Sequence, residues 1–459
     1  MRSAIVMLAV LLMAGCSAGR DYVRPDAAAP AGWLAARDGA GIGGRVIDGR
    51  PEDTPREWWK GFADPALDRL IAAADAENFD LKRARVRVRE ARAARAATAA
   101  HLYPEVNLTP TAARGNAGQI GSDRTVSYFE SAFDARWELD LFGATGRRVE
   151  AAEAQAQTAV EAEADVLLTL RGEVARNFVE LRAAQNRLTL ALETLRARRE
   201  TAALVTSLRA AGLRSDLDVA QAQTQALSLA AQVPTLQTAV IAAARRLDTL
   251  LGRPPGATEA ALPDAAPVPV TRVPAVLDEP ATVIARRPDL KRAERELAAA
   301  SALTAAATAD LYPSVSLGGL FGFRNVAAGP AGVIWSIAGG LTAPLINFGR
   351  LEAQVDIADV RREQSYFAYR QAVLLALEEV ETTLTAYVNS WRNVESLDNL
   401  VGNEQRKLAL AEERYRKGLS PFIEVLDAQR SLYAAQSDRV SAQAELSRGY
   451  IALNKAVGG

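Results

Sequence analysis

The chain has 459 residues, with 54 Lys plus Arg against 55 Asp plus Glu, so no global basic field points to nucleic acid. A mean hydropathy of -0.04 with 24% charged residues excludes a polytopic helical membrane protein. All the sulfur lies at Met1, Met7, Met13 and Cys16, which removes intramolecular disulfides, cysteine metal sites and thiol nucleophiles, and the lone imidazole of His101 makes neither a zinc site nor a triad.

In chain order, Arg2 supplies a positive start and Ala4 to Ala14 an apolar run too short to span a bilayer, so residues 1–15 read as a signal peptide. Leu12-Met13-Ala14-Gly15-Cys16 resembles a bacterial lipobox, which implies cleavage before Cys16 and a covalent lipid on it. Ser17 follows, where an Asp would favour the inner membrane, so the resemblance implies outer-membrane sorting. Residues 16–60 form a lipid-anchored extended arm, rich in Gly, Pro and Ala from Gly19 to Pro55 and without a sustained period. Order is expected from Trp58-Trp59 through Ile71, with a helix start at Asp64-Pro65.

An internal repeat organises the rest. Asp80-Leu81-Lys82-Arg83-Ala84 recurs as Asp289-Leu290-Lys291-Arg292-Ala293, and Leu102-Tyr103-Pro104 as Leu311-Tyr312-Pro313, both at an offset of 209 residues. The offset then settles at 206: Phe142-Gly143 matches Phe348-Gly349, Gly212-Leu213 matches Gly418-Leu419, and Val219 with Ala222-Gln223 matches Val425 with Ala428-Gln429. The spacing predicts repeats over 61–251 and 289–459, joined by a Pro-rich linker over 252–288.

Each repeat opens with a helix, Asp80 to His101 or Asp289 to Leu311, ending before Tyr-Pro because the residue before proline avoids the helical region. Two strand-like segments follow: Val106 to Arg114 and Val126 to Leu141 in the first repeat, Val315 to Arg324 and Val333 to Ile346 in the second. Next come Gly143 to Ala211 and Gly349 to Lys417, each 69 residues without proline, or roughly 100 Å of helix. Leu167, Val174, Leu181, Leu188 and Leu195 recur every seven residues, as do Val373, Val380, Tyr387, Val394, Val401, Leu408 and Tyr415. Phe178, Leu192, Leu377, Leu384 and Trp391 supply the second seam position of a coiled coil. Gly212 and Gly418 suit left-handed caps. Return helices then start at Arg214-Ser215-Asp216 and Ser420-Pro421, where serine before proline fits an N-cap, with a kink expected at Pro234.

The arrangement resembles the TolC-like outer-membrane efflux proteins, in their lipid-anchored NodT-type branch. The matching residues are Cys16 with Tyr22-Val23-Arg24-Pro25, Trp58-Trp59, Asp64-Pro65, Trp137 to Gly143, Arg287-Pro288-Asp289-Leu290, both Leu-Tyr-Pro turns and both Gly-Leu tips. The resemblance implies a mostly α fold with a small β part. Four strands per protomer would contribute to a 12-stranded outer-membrane β-barrel of a homotrimer, with the long helices forming a periplasmic α-barrel. It implies a passive exit duct of a tripartite pump for drugs or small metabolites, partnered by a periplasmic adaptor (membrane fusion protein) and, through it, an inner-membrane transporter. No enzyme activity, metal or cofactor is implied beyond the lipid on Cys16. By the same resemblance Tyr415, Glu424, Asp427 and Asp218 match gate and selectivity positions at the periplasmic entrance, Asp218 contacting Tyr415 between neighbouring hairpins. Gly212, Leu213, Gly418 and Leu419 are the expected adaptor-docking tips. Relatives lock the gate with a basic residue where this chain has Ser420, so the resemblance stops short of a salt-bridged lock.

Blander readings accompany these. Acids in a helix's first turns serve the helix dipole, Tyr415 fits the apolar stripe, and the tip leucines fit simple capping. His101 reads as a polar helix end, and the arginines from Arg83 to Arg89 as a solvated or intersubunit face. A type I protein or peptide secretion channel shares the architecture, and a lipid-anchored periplasmic coiled-coil scaffold or adaptor without a pore is the alternative of a different class.

Overall fold

The computed structural model describes residues 18–27, 29–34, 46–48, 57–116, 125–262, 264–271, 275–327 and 330–459. The expected signal peptide 1–15 and Cys16 lie outside the described residues. The chain forms two units, and each takes pieces of both repeats. The first contains the described residues up to Asp26 with Arg85–Ala162 and Asp289–Ala372; the second contains Ala27–Ala84, Glu163–Pro288 and Val373–Gly459.

The first unit holds a four-stranded antiparallel sheet of β2 (Glu105–Asn116), β3 (Thr125–Leu139), β5 (Ser314–Val326) and β6 (Gly332–Thr342), in the order β2-β3-β5-β6. Each repeat supplies one hairpin, and β3 pairs with β5 from Tyr128 opposite Val326 to Leu139 opposite Val315. Two strands stop earlier than the sequence predicts. β3 ends at Leu139, because Asp140 turns to accept hydrogen bonds from the amides of Thr145 (2.9 Å) and Gly146 (2.6 Å). β6 ends at Thr342, two residues before Pro344, which has no ladder donor. In the same unit, α8 (Pro288–Ala309) buries a stripe of small residues, Ala298, Ala302, Ala305 and Ala309, spaced three or four apart. The N-terminal arm lies close against it: a Cβ on Gly19 would sit 2.6 Å from the Ala305 Cβ. Tyr22 Oη donates to Glu294 (2.6 Å), and Asp21 pairs with Arg147 (2.6 Å).

In the second unit, Trp58–Phe62 forms a 3-10 turn with Trp58, Trp59 and Phe62 buried. Asp64 then caps α1 (Pro65–Glu77) by accepting from the Ala66 amide at 2.8 Å, as Asp-Pro predicts. The segment read as an extended arm without a sustained period contributes β1 (Val46–Asp48), which pairs in parallel with β4 (Ala275–Leu277). The Pro-rich linker is likewise structured, carrying α6 (Ala257–Ala261), β4 and α7 (Pro280–Arg286). Buried Asp248 organises its start by accepting from the amides of Gly256 (2.8 Å) and Thr258 (2.7 Å).

The long helices are α3 (Ala144–Ala210) and α9 (Arg350–Arg416), 67 residues each. Their heptad stripe is buried as expected: Val174, Leu181, Val380, Tyr387 and Val401 are all core residues. Leu192 departs from the pattern. It is exposed, and its neighbour Ala191 is buried beside Leu195, Ala226 and Leu229, because one residue is about 100° of helix rotation. The return path of the first hairpin breaks into α4 (Asp216–Ala230) and α5 (Val233–Leu250), with Pro234 in the first turn of α5. The second hairpin returns as one helix, α10 (Phe422–Ala456). The opening helix of the first repeat is α2 (Phe79–Ala100), twin of α8.

Candidate functional site

Two surfaces carry the chemistry. The first is the sheet, whose register sorts its side chains because successive residues of a strand point to opposite faces. Leu108, Phe133, Phe321 and Trp335 stand in one lateral row across all four strands. The neighbouring rows on that face add Val106, Ile337, Phe323 and Val333. These side chains are exposed, Phe321 to 62% and Trp335 to 72%. The opposite face carries Glu105, Asn107, Thr109, Glu130, Asp134, Arg136, Glu138, Ser316, Arg324 and Ser336. A sheet apolar and exposed on one side, polar on the other, and open at the β2 and β6 edges is complete only as part of a closed, membrane-inserted ring.

Aromatic residues gather at the end of the sheet where the helices attach. Trp137 Nε1 donates to the Leu102 carbonyl (3.0 Å), Phe142 stacks on Tyr312 at 4.9 Å between centroids, and Tyr103 and Tyr312 are exposed. Trp and Tyr are the residues that favour a membrane–water boundary. The Ala18 amide donates to the Phe142 carbonyl at 3.0 Å, so the arm starts at this same boundary. His101 is exposed just past α2, and both carboxylate oxygens of its twin Asp310 accept from Arg148 Nη2 (2.6 and 2.7 Å).

The second surface is formed by the hairpin tips. Gly212 (φ +76°) and Gly418 (φ +69°) close α3 and α9 identically: Leu213 donates to Leu208 and Leu419 to Arg414, both at 2.9 Å. This six-to-one closure is the Schellman motif, and it leaves Leu213 and Leu419 outside, 66% and 64% exposed. The starts of the return helices differ. Ser215 caps α4 in a reciprocal box with Asp218. Ser420 does not cap α10: Pro421 holds the N-cap position and the buried Ser420 Oγ has no hydrogen-bond partner among the described residues. The reason is local, since three residues after Ser215 stands Asp218, which can reciprocate, and three after Ser420 stands Ile423, which cannot.

Asp218 therefore spends its carboxylate on its own helix end, with Ser215 Oγ donating to it at 2.9 Å. Tyr415 instead receives the Arg214 guanidinium over its ring at 4.6 Å and packs on Phe422 at 5.3 Å. Burial pushes the Tyr415 hydroxyl pKa up, the Arg214 charge opposes this and the Asp218 charge adds to it. Glu424 is exposed in the first turn of α10, and Asp427 pairs with Arg430 at 3.2 Å on the same helix. Arg214 was not singled out from the sequence, because cation–π pairing between hairpins depends on tertiary placement. The polar-face charges left a trace, Glu130, Asp134, Arg136 and Glu138 recurring at even spacing.

The family model for outer membrane efflux proteins matches residues 70–253 and 280–459. The chain belongs to the outer membrane efflux protein family. Nodulation protein T of Rhizobium leguminosarum bv. trifolii is 31% identical over 98% of this chain and 95% of its own length. The pyoverdine export outer membrane protein OpmQ of Pseudomonas putida is 33% identical over 88% of each chain. Among solved structures, the outer-membrane channel OprN superposes with a TM-score of 0.89 at 31% identity, covering 97% of this chain and 99% of its own. The open-state MtrE channel of Neisseria gonorrhoeae superposes with a TM-score of 0.83 at 26% identity, covering 97% and 98%. As an outer membrane efflux protein, the chain is the outer-membrane channel of a tripartite efflux pump. It works as a homotrimer with a periplasmic adaptor and an inner-membrane transporter, three four-stranded sheets forming the 12-stranded barrel and the long helices extending into the periplasm.

Proposed function

We propose that the channel conducts small organic molecules, drugs or metabolites, passively from pump to exterior and performs no chemistry of its own. The segregation of the sheet into an apolar and a polar face carries this reading, because it supplies a lipid-facing wall and a wetted lumen from one set of strands. Small cargo fits the relatives' names: OpmQ is a pyoverdine export protein, SrpC of Pseudomonas putida belongs to a solvent efflux pump and TtgI to a toluene efflux pump. Deleting the gene should raise sensitivity to such compounds, and the wild-type gene should restore export. Unchanged sensitivity and accumulation across a broad small-molecule panel would refute the reading.

Residues 1–15 are taken as the signal peptide, Cys16 as the lipidated first residue of the arm 16–60, and 61–251 and 289–459 as repeats joined by 252–288. The Ala18–Phe142 bond supports the anchor, since it holds the arm two residues after Cys16 at the aromatic boundary where acyl chains enter the bilayer. At the tips, Glu424 and Asp427, presented three times around the axis, form the acidic entrance. The exposed pair Asp427–Arg430 is a weak tether that leaves the carboxylate available. Tyr415, with Arg214 over its ring and the Asp218 charge acting on its hydroxyl, forms the gate. Leu213 and Leu419, raised by Gly212 and Gly418, are the adaptor's docking points. Replacing Glu424 and Asp427 together by Ala should lower cation selectivity in planar bilayers, and crosslinkers placed at Leu213 or Leu419 should capture the adaptor. Unchanged selectivity removes the acidic entrance, and absence of an adaptor crosslink removes the docking role.

A further inference from the structure

The four strands carry seven charged side chains, and six of them stand on the polar face; Arg114 alone is on the apolar side. Four of the six neutralise one another. Glu130 accepts from Arg324 Nε at 2.7 Å across the β3–β5 junction, and Asp134 pairs with Arg136 at 3.1 Å along β3. Glu105 and Glu138 sit in no ion pair among the described residues, and Glu105 accepts only from the Asn107 amide group at 3.1 Å. Both are exposed. They stand at the helix-attached end of the sheet and line the same hollow of about 1180 Å³. Gly318 and Gly340, on the polar face of β5 and β6, leave that hollow open by contributing no side chain.

We infer that Glu105 and Glu138 give the barrel section a cation preference of its own, separate from the acids of the hairpin tips. The inference rests on the reading of the polar face as the lumen. Arg136 and Arg148 line the same hollow but are held by Asp134 and Asp310, so two carboxylates per chain stay outside any ion pair and become six in the trimer, arranged as a collar where the barrel meets the helices. Charges of one sign on the wall of a low-dielectric pore focus field into it. The effect is a field along the wall and not a coordination site, so it extends to hydrated alkali cations and organic ammonium compounds alike. Arg136 is the counterweight, because removing it releases Asp134 to add a third carboxylate per chain.

The test is the reversal potential of reconstituted trimers in planar bilayers under a KCl gradient. Glu105→Gln with Glu138→Gln should lower the potassium-to-chloride permeability ratio by about twofold or more at 0.1 M salt, where the screening length is about 10 Å, and by less at 1 M. Arg136→Gln should raise it. To keep assembly out of the comparison, Glu138→Cys, with Cys16 the only other cysteine in the chain, can be modified in conducting channels. A cationic thiol reagent should then lower the ratio and an anionic one restore it. Conducting channels whose ratio is unmoved by all of these changes would overturn the inference while leaving the duct intact. A wild-type protein that inserts but carries no current would instead overturn the reading of the polar face as a lumen.

Discussion

Adjacent residues of β5 should respond oppositely to one substitution. Phe321 lies in the middle row of the apolar face, between Phe133 and Trp335, and Leu320 in the polar row Asn107–Asp134–Leu320–Ser336. Arginine at 321 would point into hydrocarbon near the centre of the bilayer, at a cost of about 2–4 kcal/mol per copy and so roughly 6–12 kcal/mol per trimer. That is comparable with the whole stability of an ordinary domain, about 5–15 kcal/mol. Arginine at 320 would enter water directly opposite Asp134, a cross-strand pair of favourable sign. Phe321→Arg should therefore deplete trimers from the outer-membrane fraction on unheated gels and abolish conductance, while Leu320→Arg inserts and conducts. If Phe321→Arg assembled normally and Leu320→Arg did not, the assignment of faces would be reversed.

Three further outcomes concern the helical parts. Ser215→Ala should cost about 1 kcal/mol through loss of the capping box, whereas Ser420→Ala should be neutral or slightly stabilising because its buried hydroxyl is unpaired among the described residues; thermal melting in detergent distinguishes them. Gly418→Ala meets no atom within 4 Å, so its penalty is conformational, about 1–2 kcal/mol for a left-handed residue, and should appear as faster proteolysis at the second tip. For Asp248, burial alone would raise the carboxyl pKa, but hydrogen bonds from Thr258 and Gly256 outweigh it and hold the pKa below the usual carboxylate value. The wild type should then exceed Asp248→Asn in stability fully above the unfolded-state value of about 3.9, and the gap should close as pH falls through the lower folded-state pKa. A gap unchanged at low pH in equilibrium unfolding would contradict this.

What could be read from the sequence follows the range of the interactions concerned. The seven-residue stripe, the left-handed glycines and the Tyr-Pro stops are encoded within a turn or two of helix, and all stand where expected. Leu192 was misplaced because a period of 3.5 drifts against a helix of 3.6, and a buried Ala191 satisfies the seam as well as a leucine. Ser420 before proline reads as an N-cap, but Ile423 three residues on cannot reciprocate, and the cap forms at Ser215 instead, where Asp218 can. The β1–β4 pair was not legible, since its partners lie more than two hundred residues apart and each strand has only three residues. The same holds for the tips: Tyr415 could be placed on the stripe, but its Arg214 neighbour comes from the other hairpin.

The strand order has a consequence for symmetry. Because β3 of the first repeat abuts β5 of the second, the outer edges left free are β2 of one repeat and β6 of the other. Each junction between protomers therefore joins second repeat to first, just as the internal junction joins first to second, and the barrel backbone approximates six hairpins around one axis. The side chains break that equality. Five of the six polar-face charges stand on β2 and β3, and β5 and β6 contribute only Arg324 beside Gly318, Gly322, Gly332 and Gly340. A solute in transit thus meets three charged and three smooth staves in alternation, so duplication let one hairpin specialise in charge and the other in clearance.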